Sequence, residues 1–345
     1  MNLTSQIIDP TQHPGWDDLI PASRTCSFFH SSAWAKTLSE SYGYKPLFFT
    51  IFHKKRLVSL IPIMEVRSIL TGRRGVSLPF SDYCEPIIHE KGHFENILDD
   101  IIQYGTQKKW KYVELRGGNE SLDTVSPASW FYGHTLDLGR DADTIFRGFK
   151  GSTRRNIRKA IKENVQVHIS HSLDSVREFH RLNAITRKHH GLPPQPFFFF
   201  KNVHKHIISR GKGLVVLASF EGRNIAGAVY FHFGGKAIYK YGASERSFQN
   251  KRPNNRVMWE AIRWYVEKGF ESFSFGRTEP ENNGLLQFKR GWGTKETVLR
   301  YYKYNFREAS YVVDHSKTES FSPIFKRMPV PLLNLLGSVL YRHVG

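Results

Sequence analysis

Residues 237–275 read AIYKYGASERSFQNKRPNNRVMWEAIRWYVEKGFESFSF. Ala237–Ala243 predicts a strand. The stretch from about Asn254 to Lys268 predicts a helix closed by Gly269, and Glu271–Phe275 predicts a strand directly after it. Upstream, Leu173–His189 and Phe199–Ser209 predict helices, and Gly213–Phe220 and Asn224–Phe233 predict strands about a turn at Glu221–Arg223. Helix, antiparallel strands, then strand–helix–strand is an α/β order that builds a mixed sheet.

The first half offers a similar order. Ser31–Tyr42 predicts a helix, Lys45–Phe52 and Leu57–Val66 predict strands joined at His53–Arg56, and Ile97–Gln107 with Tyr112–Arg116 parallels the later helix–strand pair. Two similar halves follow, with a boundary near Gly139–Asp143 after strand Gly133–Leu138. The expected division is a first domain over 1–140, a second, catalytic domain over 141–305, and a C-terminal segment over 306–345.

The 345 residues fit two ordinary domains, and 40% hydrophobic with 14% aromatic content argues against disorder. A formal charge of +19 attracts polyanions, whether nucleic acid, anionic lipid or pyrophosphate-bearing substrates, and does not choose among them. Two cysteines, Cys26 and Cys84, without a paired spacing argue against a disulfide framework or a thiolate zinc site and fit a reducing, cytoplasmic compartment. The sixteen histidines are scattered without the spacing of a helical metal site, so no metal is expected. Met1–Trp16 carries no export signal, and no run is long enough to span a bilayer.

Asp143–Asn164 carries the strongest local signal. Phe146, Phe149, Ile157 and Ile161 recur at helical spacing as one buried stripe, opposite Arg147, Lys150, Arg154, Arg155, Arg158, Lys159 and Lys162. With Ser152 capping a fresh helix after Gly151, free N–H groups beside Arg154 and Arg155 suit a phosphate; a solvated basic face is the plainer reading. Further on, Asn254 or Asn255 caps the next helix, with Arg246, Lys251, Arg252 and Arg256 around its start. Tyr239 and Tyr241 alternate onto one strand face and line a cleft, or serve as core. After strand Glu271–Phe275 comes the polar, glycine-rich Gly276–Gly293, a common place for a site at the carboxyl end of a strand. Lys289 there is a donor for a developing oxyanion, or else a partner of Glu279 or Glu281.

The order of short motifs along the chain resembles the FemAB family. They are Ser32-Ala-Trp-Ala-Lys36, Phe80-Ser-Asp-Tyr83, Arg154-Arg-Asn-Ile-Arg-Lys159 with Val165, and Tyr241-Gly-Ala-Ser244. Pro253–Trp259 with Gly269, Phe275-Gly-Arg277, and Leu286-Gln-Phe-Lys289 with Gly291-Trp-Gly293 complete the set. The resemblance implies an α/β fold of two acetyltransferase-like (GNAT-like) domains with mixed sheets and a C-terminal helix packing back on the first. It implies transfer of an aminoacyl group from charged tRNA to an amine, typically of a peptidoglycan precursor, with no resident cofactor. Lys289, in the pair with Phe288, matches the position that stabilises the tetrahedral intermediate, and Lys36 matches a lysine on the phosphate of a nucleotide-linked precursor. Asp82 and Tyr83 match the acceptor cleft. The full set expected to bind substrate is Lys36, Asp82, Tyr83, Arg154, Arg155, Lys159, Tyr239, Tyr241, Asn255, Arg277, Arg290 and Trp292, with Tyr241 and Trp292 as cleft walls.

Two departures separate the chain from members using nucleotide-linked muramyl peptide: Gln195 and Phe199 replace an Arg and a Tyr, and the helical-hairpin arm is missing. The pyrophosphate loop of CoA-dependent acetyltransferases is also absent, its place taken by Glu245–Arg256. In the tail from Phe321 to Gly345, Leu332, Leu335, Leu336, Val339 and Leu340 form one apolar face, which either packs on the first domain or lies on the inner membrane surface. The tail resembles that of FemAB relatives associated with exopolysaccharide and exosortase loci, implying an envelope or exopolysaccharide role. Three readings of function remain open: aminoacyl or acyl transfer to an envelope precursor, acyl-CoA-dependent N-acylation, and a non-catalytic module for RNA or anionic lipid.

Overall fold

The computed structural model describes residues 5–20, 25–314 and 323–345. Phe321 and Ser322, where the expected tail begins, and the first residues of the Met1–Trp16 stretch lie outside the described residues. The chain divides into two compact units, residues 1–131 with 298–317 and 340–345, and residues 132–297 with 318–339. The division falls at 131/132 rather than at 140/141 because strand Ser129–Asp137 pairs antiparallel with Ser272–Thr278 from Tyr132 onward. The α/β order with mixed sheets is present in both units.

In the first unit, Lys45–His53 and Arg56–Ser68 form a long hairpin, its turn made by Lys54 and Lys55 in the left-handed region. Strand Gly72–Val76 pairs antiparallel with Arg56–Ser68 and parallel with Tyr112–Leu115. Helix His93–Gln107 buries Phe94, Ile97 and Ile101 against Phe49, Ile51, Ile61 and Ile63 of this sheet. Residues 340–345 belong here. Arg74, 2% exposed, donates from Nε to the Gly345 carbonyl at 2.8 Å and from Nη2 to that of His343 at 2.8 Å.

In the second unit, strands Gln166–Ser170, Gly213–Phe220, Arg223–Phe233 and Lys236–Ser244 run antiparallel in sequence. Helix Pro253–Glu267 then returns the chain to Ser272–Thr278, which pairs parallel with Lys236–Ser244. The core packs Trp259, Ile262 and Tyr265 of that helix on Tyr230, Phe273, Phe275 and Trp292. No side chain caps this helix. Pro253 occupies its first turn and Arg252 stands before it at φ +59°, so neither Asn254 nor Asn255 caps it as expected. Asn255 is buried, and Asn254 Nδ2 donates to Ser244 Oγ at 3.1 Å.

The basic segment is two helices, Ala142–Gly148 and Gly151–Lys162, separated by extended backbone at Phe149 and Lys150. Asp141 caps the first by accepting from Thr144 N at 2.8 Å, whereas the second has no side-chain cap, so Ser152 is not its cap. The break rotates the second helix. Thr153, Ile157 and Ala160 form its buried seam and Ile161 is exposed, contrary to the single stripe expected.

A bulge decides the strand before the helix. Val229 pairs with Tyr241 and Tyr230 with Tyr239, so one residue on Arg223–Phe233 offsets two on its neighbour. Tyr239 and Tyr241 therefore face opposite sides of the sheet, not the same one. Tyr239 packs 5.6 Å from Tyr230 in the core, where burial pushes its hydroxyl up to about 12, while Tyr241 sits 5.5 Å from Phe200. The Tyr239 hydroxyl lies over Gly242, where a Cβ would come within 1.6 Å of it. Gly242→Ala should thus lower stability by about 1–3 kcal/mol through overpacking, read as a fall in Tm; an unchanged melt would show that Tyr239 moves freely.

Candidate functional site

Parallel strands Lys236–Ser244 and Ser272–Thr278 pair over Lys236–Ile238 and Ser272–Ser274 and part beyond that register. Their carboxyl ends form a fork, the place where open α/β sheets bind ligands. On one tine the pairing with Ser129–Asp137 also breaks between Ser274 and Arg277, where Gly276 adopts φ +67°, open to glycine without strain. This turn points the carbonyls of Gly276 and Arg277 away from the sheet ladder. Lys289 Nζ donates to both, at 3.1 and 2.9 Å.

Lys289 rides on helix Asn283–Arg290, whose start is set by Asn282 accepting from Leu285 N at 3.1 Å. The lysine is 2% exposed. A buried ammonium is costly unless dipoles compensate it, and two carbonyls do so here. Phe288 packs 5.8 Å from Trp292, which also stacks on Phe149 at 5.0 Å and Phe275 at 6.2 Å. Trp292 is fully buried, so it is core rather than the cleft wall expected of it.

The Gly291-Trp-Gly293 segment joins this helix to the basic one. Lys150 N donates to the Gly291 carbonyl at 2.9 Å, and a Cβ on Gly291 would come within 2.4 Å of Thr153 Oγ1. Only glycine allows that approach, which brings the first turn of Gly151–Lys162 beside the end of the Lys289 helix. Arg154 is half-buried in that turn, and Arg155 and Lys159 are exposed. None of the three makes an ion pair among the described residues. Of the cations expected around the next helix, Lys251 pairs with Glu163 at 3.1 Å and Arg256 with Glu260.

Arg290 points the other way. Its Nε and Nη2 donate to the two oxygens of Glu296 at 2.7 and 3.0 Å, a forked pair that holds the Glu296 carboxyl below the usual range. His134 Nε2 lies 3.0 Å from the same carboxylate. This imidazole is fully buried on strand Ser129–Asp137, and its Nδ1 has no hydrogen-bond partner among the described residues. Burial first, then the Lys289 cation, pushes its proton affinity down, against the pull of Glu296. Both effects favour the uncharged imidazole, within the field of Lys289. Neither His134 nor Glu296 stood out in the sequence, because only strand pairing brings them to Lys289.

In the first unit, Lys36 is exposed on helix Ser32–Tyr42 at the rim of a cavity of about 410 Å³ formed with Pro10–Asp18 and Ser32. Tyr83 lines a separate cavity of about 260 Å³ with Arg116, Asn119 and Arg300. The Asp82 carbonyl accepts from Tyr301 Oη at 2.5 Å. Lys36 and Tyr83 therefore line different cavities. Gln195 and Phe199, in the second unit, are buried, Phe199 against Phe200 at 5.4 Å. Among the described residues, no group of three or more His, Cys, Asp or Glu is arranged to hold a metal ion.

His180 and His232 share with His134 a proton affinity lowered first by burial. The unfolded chain takes up protons near pH 6.5 that the folded chain refuses, so stability falls as pH drops through about 6.5 and levels off below the folded values. Thermal melts across that range should show the decline. His134→Gln should make it shallower, with His180 and His232 still contributing; a melt series with the full slope would remove His134 from the groups responsible.

Residues 147–290 match the family model described as acetyltransferase (GNAT) domain. Over 80 residues the chain is 35% identical to the lipid II:glycine glycyltransferase of Staphylococcus epidermidis, covering 21% of this chain and 19% of that protein. The chain thus matches about a fifth of the length of its curated relatives. The crystal structure of FemX superposes with a TM-score of 0.68 at 15% identity, over 88% of this chain and 97% of that one. A tandem GNAT protein from the clavulanic acid biosynthesis pathway gives 0.58 at 8% identity, over 88% and 99%. Residues 147–290, which include Lys289, are thus similar to an acetyltransferase (GNAT) domain, and the chain has the fold seen in FemX.

Proposed function

We propose that the protein is an acyl or aminoacyl transferase that moves an activated acyl group to an amine of a phosphate-bearing cell-envelope precursor. The observation that carries this reading is the buried Lys289 ammonium, fixed on the Gly276 and Arg277 carbonyls beside a fork of diverging strands. In the reaction the amine nitrogen bonds the carbonyl carbon and the ester or thioester bond breaks. The proton lost by nitrogen ends on the departing oxygen or sulfur. Lys289 stabilises the oxyanion that forms in between, a term that strengthens in a water-poor site. The donor is already activated, so alignment supplies most of the remaining catalysis.

In this reading Arg154, Arg155 and Lys159 hold phosphates, and Lys36 holds a phosphate of the acceptor. Asp82, Tyr83, Tyr241, Asn255, Arg277 and Arg290 complete the substrate contacts in their own units. The donor is aminoacyl-tRNA and no resident cofactor takes part; the work is done at the cytoplasmic face, on a peptidoglycan or exopolysaccharide precursor. The GNAT domain match over residues 147–290 also favours a second reading, acyl-CoA as donor. Following thiol release from acyl-CoA, and label transfer from charged tRNA, in the presence of candidate amines separates the two. Binding of RNA without any transfer would leave the third reading, a non-catalytic module.

Lys289→Ala and Lys289→Met should each lower turnover by about 10²–10³ while the far-ultraviolet spectrum stays native. Each also strips a donor from two buried carbonyls, at about 1–3 kcal/mol apiece, so the Tm should fall as well. Wild-type turnover in either variant would remove Lys289 from the mechanism.

A further inference from the structure

Lys289 and Arg290 are neighbours in sequence and end the same helix, Asn283–Arg290. They grip the two sides of one strand pair. Lys289 Nζ donates to the Gly276 and Arg277 carbonyls on strand Ser272–Thr278, at 3.1 and 2.9 Å. Arg290 reaches strand Ser129–Asp137 instead, with its Cζ 5.5 Å from the centre of the Tyr132 ring. Its Nε and Nη2 donate at 2.7 and 3.0 Å to Glu296, whose Oε2 also lies 3.0 Å from His134 Nε2. Tyr132 pairs with Thr278 and Gly133 with Arg277. His134, Glu296, Arg290, Lys289 and the Arg277 carbonyl therefore close a ring across the strand pair.

Glu296 closes this ring through charge. Arg290 first, and then His134, hold its carboxyl below the usual range, so it is ionised at neutral pH. Facing an ionised carboxylate, His134 Nε2 is the nitrogen that carries hydrogen and donates. A single exposed ion pair adds little stability, because two long side chains lose freedom and water screens the attraction. This pair is forked, and its third partner, His134, is fully buried on a strand. It therefore fixes a direction more than it adds stability.

A lysine needs such a device. Its ammonium rides on a flexible four-carbon stem and reaches many positions unless its backbone is held. The Asn282 cap holds the far end of the helix, and the Arg290–Glu296 fork holds the near end. We propose that Glu296 is a positioning residue for Lys289: it ties the end of the lysine's helix to the strand beside the Gly276 and Arg277 carbonyls and so keeps the ammonium on them. Glu296 touches no reacting atom and acts through Arg290 and His134. The positioning belongs to the fold, whereas its consequence for turnover rests on the proposed role of Lys289 in transfer.

Acetylating the full chain with N-hydroxysuccinimidyl acetate, followed by peptide mass spectrometry, reads the lysine's position without any substrate. Lys289, 2% exposed and held on two carbonyls, should label at least about tenfold more slowly than the exposed Lys159. Glu296→Ala should speed Lys289 labelling about tenfold and leave Lys159 unchanged; Glu296→Gln, which still offers Arg290 an acceptor, should speed it less. Amide exchange across strand Gly213–Phe220 should stay at the wild-type rate, which separates local release from general loosening. If it rises in Glu296→Ala, labelling of the Glu296→Gln chain decides. In the transfer assay Glu296→Ala should lower kcat about tenfold with KM within about twofold, and lower it no further in a chain already carrying Lys289→Ala. The proposal is overturned if Lys289 labels as fast as Lys159 in the wild type, or if neither variant changes its labelling. A kcat loss of equal size with and without Lys289 would overturn it too. Released labelling in Glu296→Ala together with wild-type turnover in Lys289→Ala would instead remove the catalytic role of Lys289 and leave its positioning by Glu296 standing.

Discussion

A charged side chain that is almost wholly buried constrains everything around it. The Lys289 ammonium must be met by oriented dipoles, and here they are main-chain carbonyls that a regular strand pair would have used in its own ladder. Freeing them requires the strand register to break between Ser274 and Arg277 and Gly276 to sit at positive φ. Aiming the lysine requires the Asn282 cap that starts its helix. Bringing the basic helix alongside requires glycine at Gly291, opposite Thr153. Glycines, cap and register break thus serve one ion.

The same fork sets the electrostatics of its neighbourhood. His134 feels both burial and the Lys289 cation, which favour its uncharged form, while Arg290 and His134 converge on the single carboxylate of Glu296. Arg290 is therefore occupied by a forked pair, whereas Arg154, Arg155 and Lys159 make no ion pair among the described residues. Cations that make no ion pair suit a phosphate better than cations already paired, which ranks the basic helix ahead of Arg290 as an anion contact.

Polarity follows a different logic at the protein's outer face. The two cores absorb aromatic and branched side chains, yet Ile69 and Leu70 in the first unit and Leu335 and Val339 in the second stay in solvent. The seam of Leu333 and Gly337 explains the second pair: helix Val330–Val344 docks through its narrowest side and leaves its bulkier side chains outward.

Elements whose signal is local were legible from residues alone. Leu173–His189 and Gly213–Phe220 fall where periodicity and turn residues put them, and Gly269 closes its helix at φ +71° as its position implied. The order of short motifs also carried the resemblance that implied the GNAT-like fold, because order survives where each motif is weak. What required the folded chain was every feature set by a partner distant in sequence. The bulge opposite Tyr230 turned Tyr239 and Tyr241 to opposite faces, the break at Phe149 moved Ile161 into solvent, and helix packing made Trp292 core. His134 and Glu296, 162 residues apart, meet only through the fold. Periodicity states which residues share a face of an isolated element; register, packing distance and the neighbour's carbonyls decide where that face points.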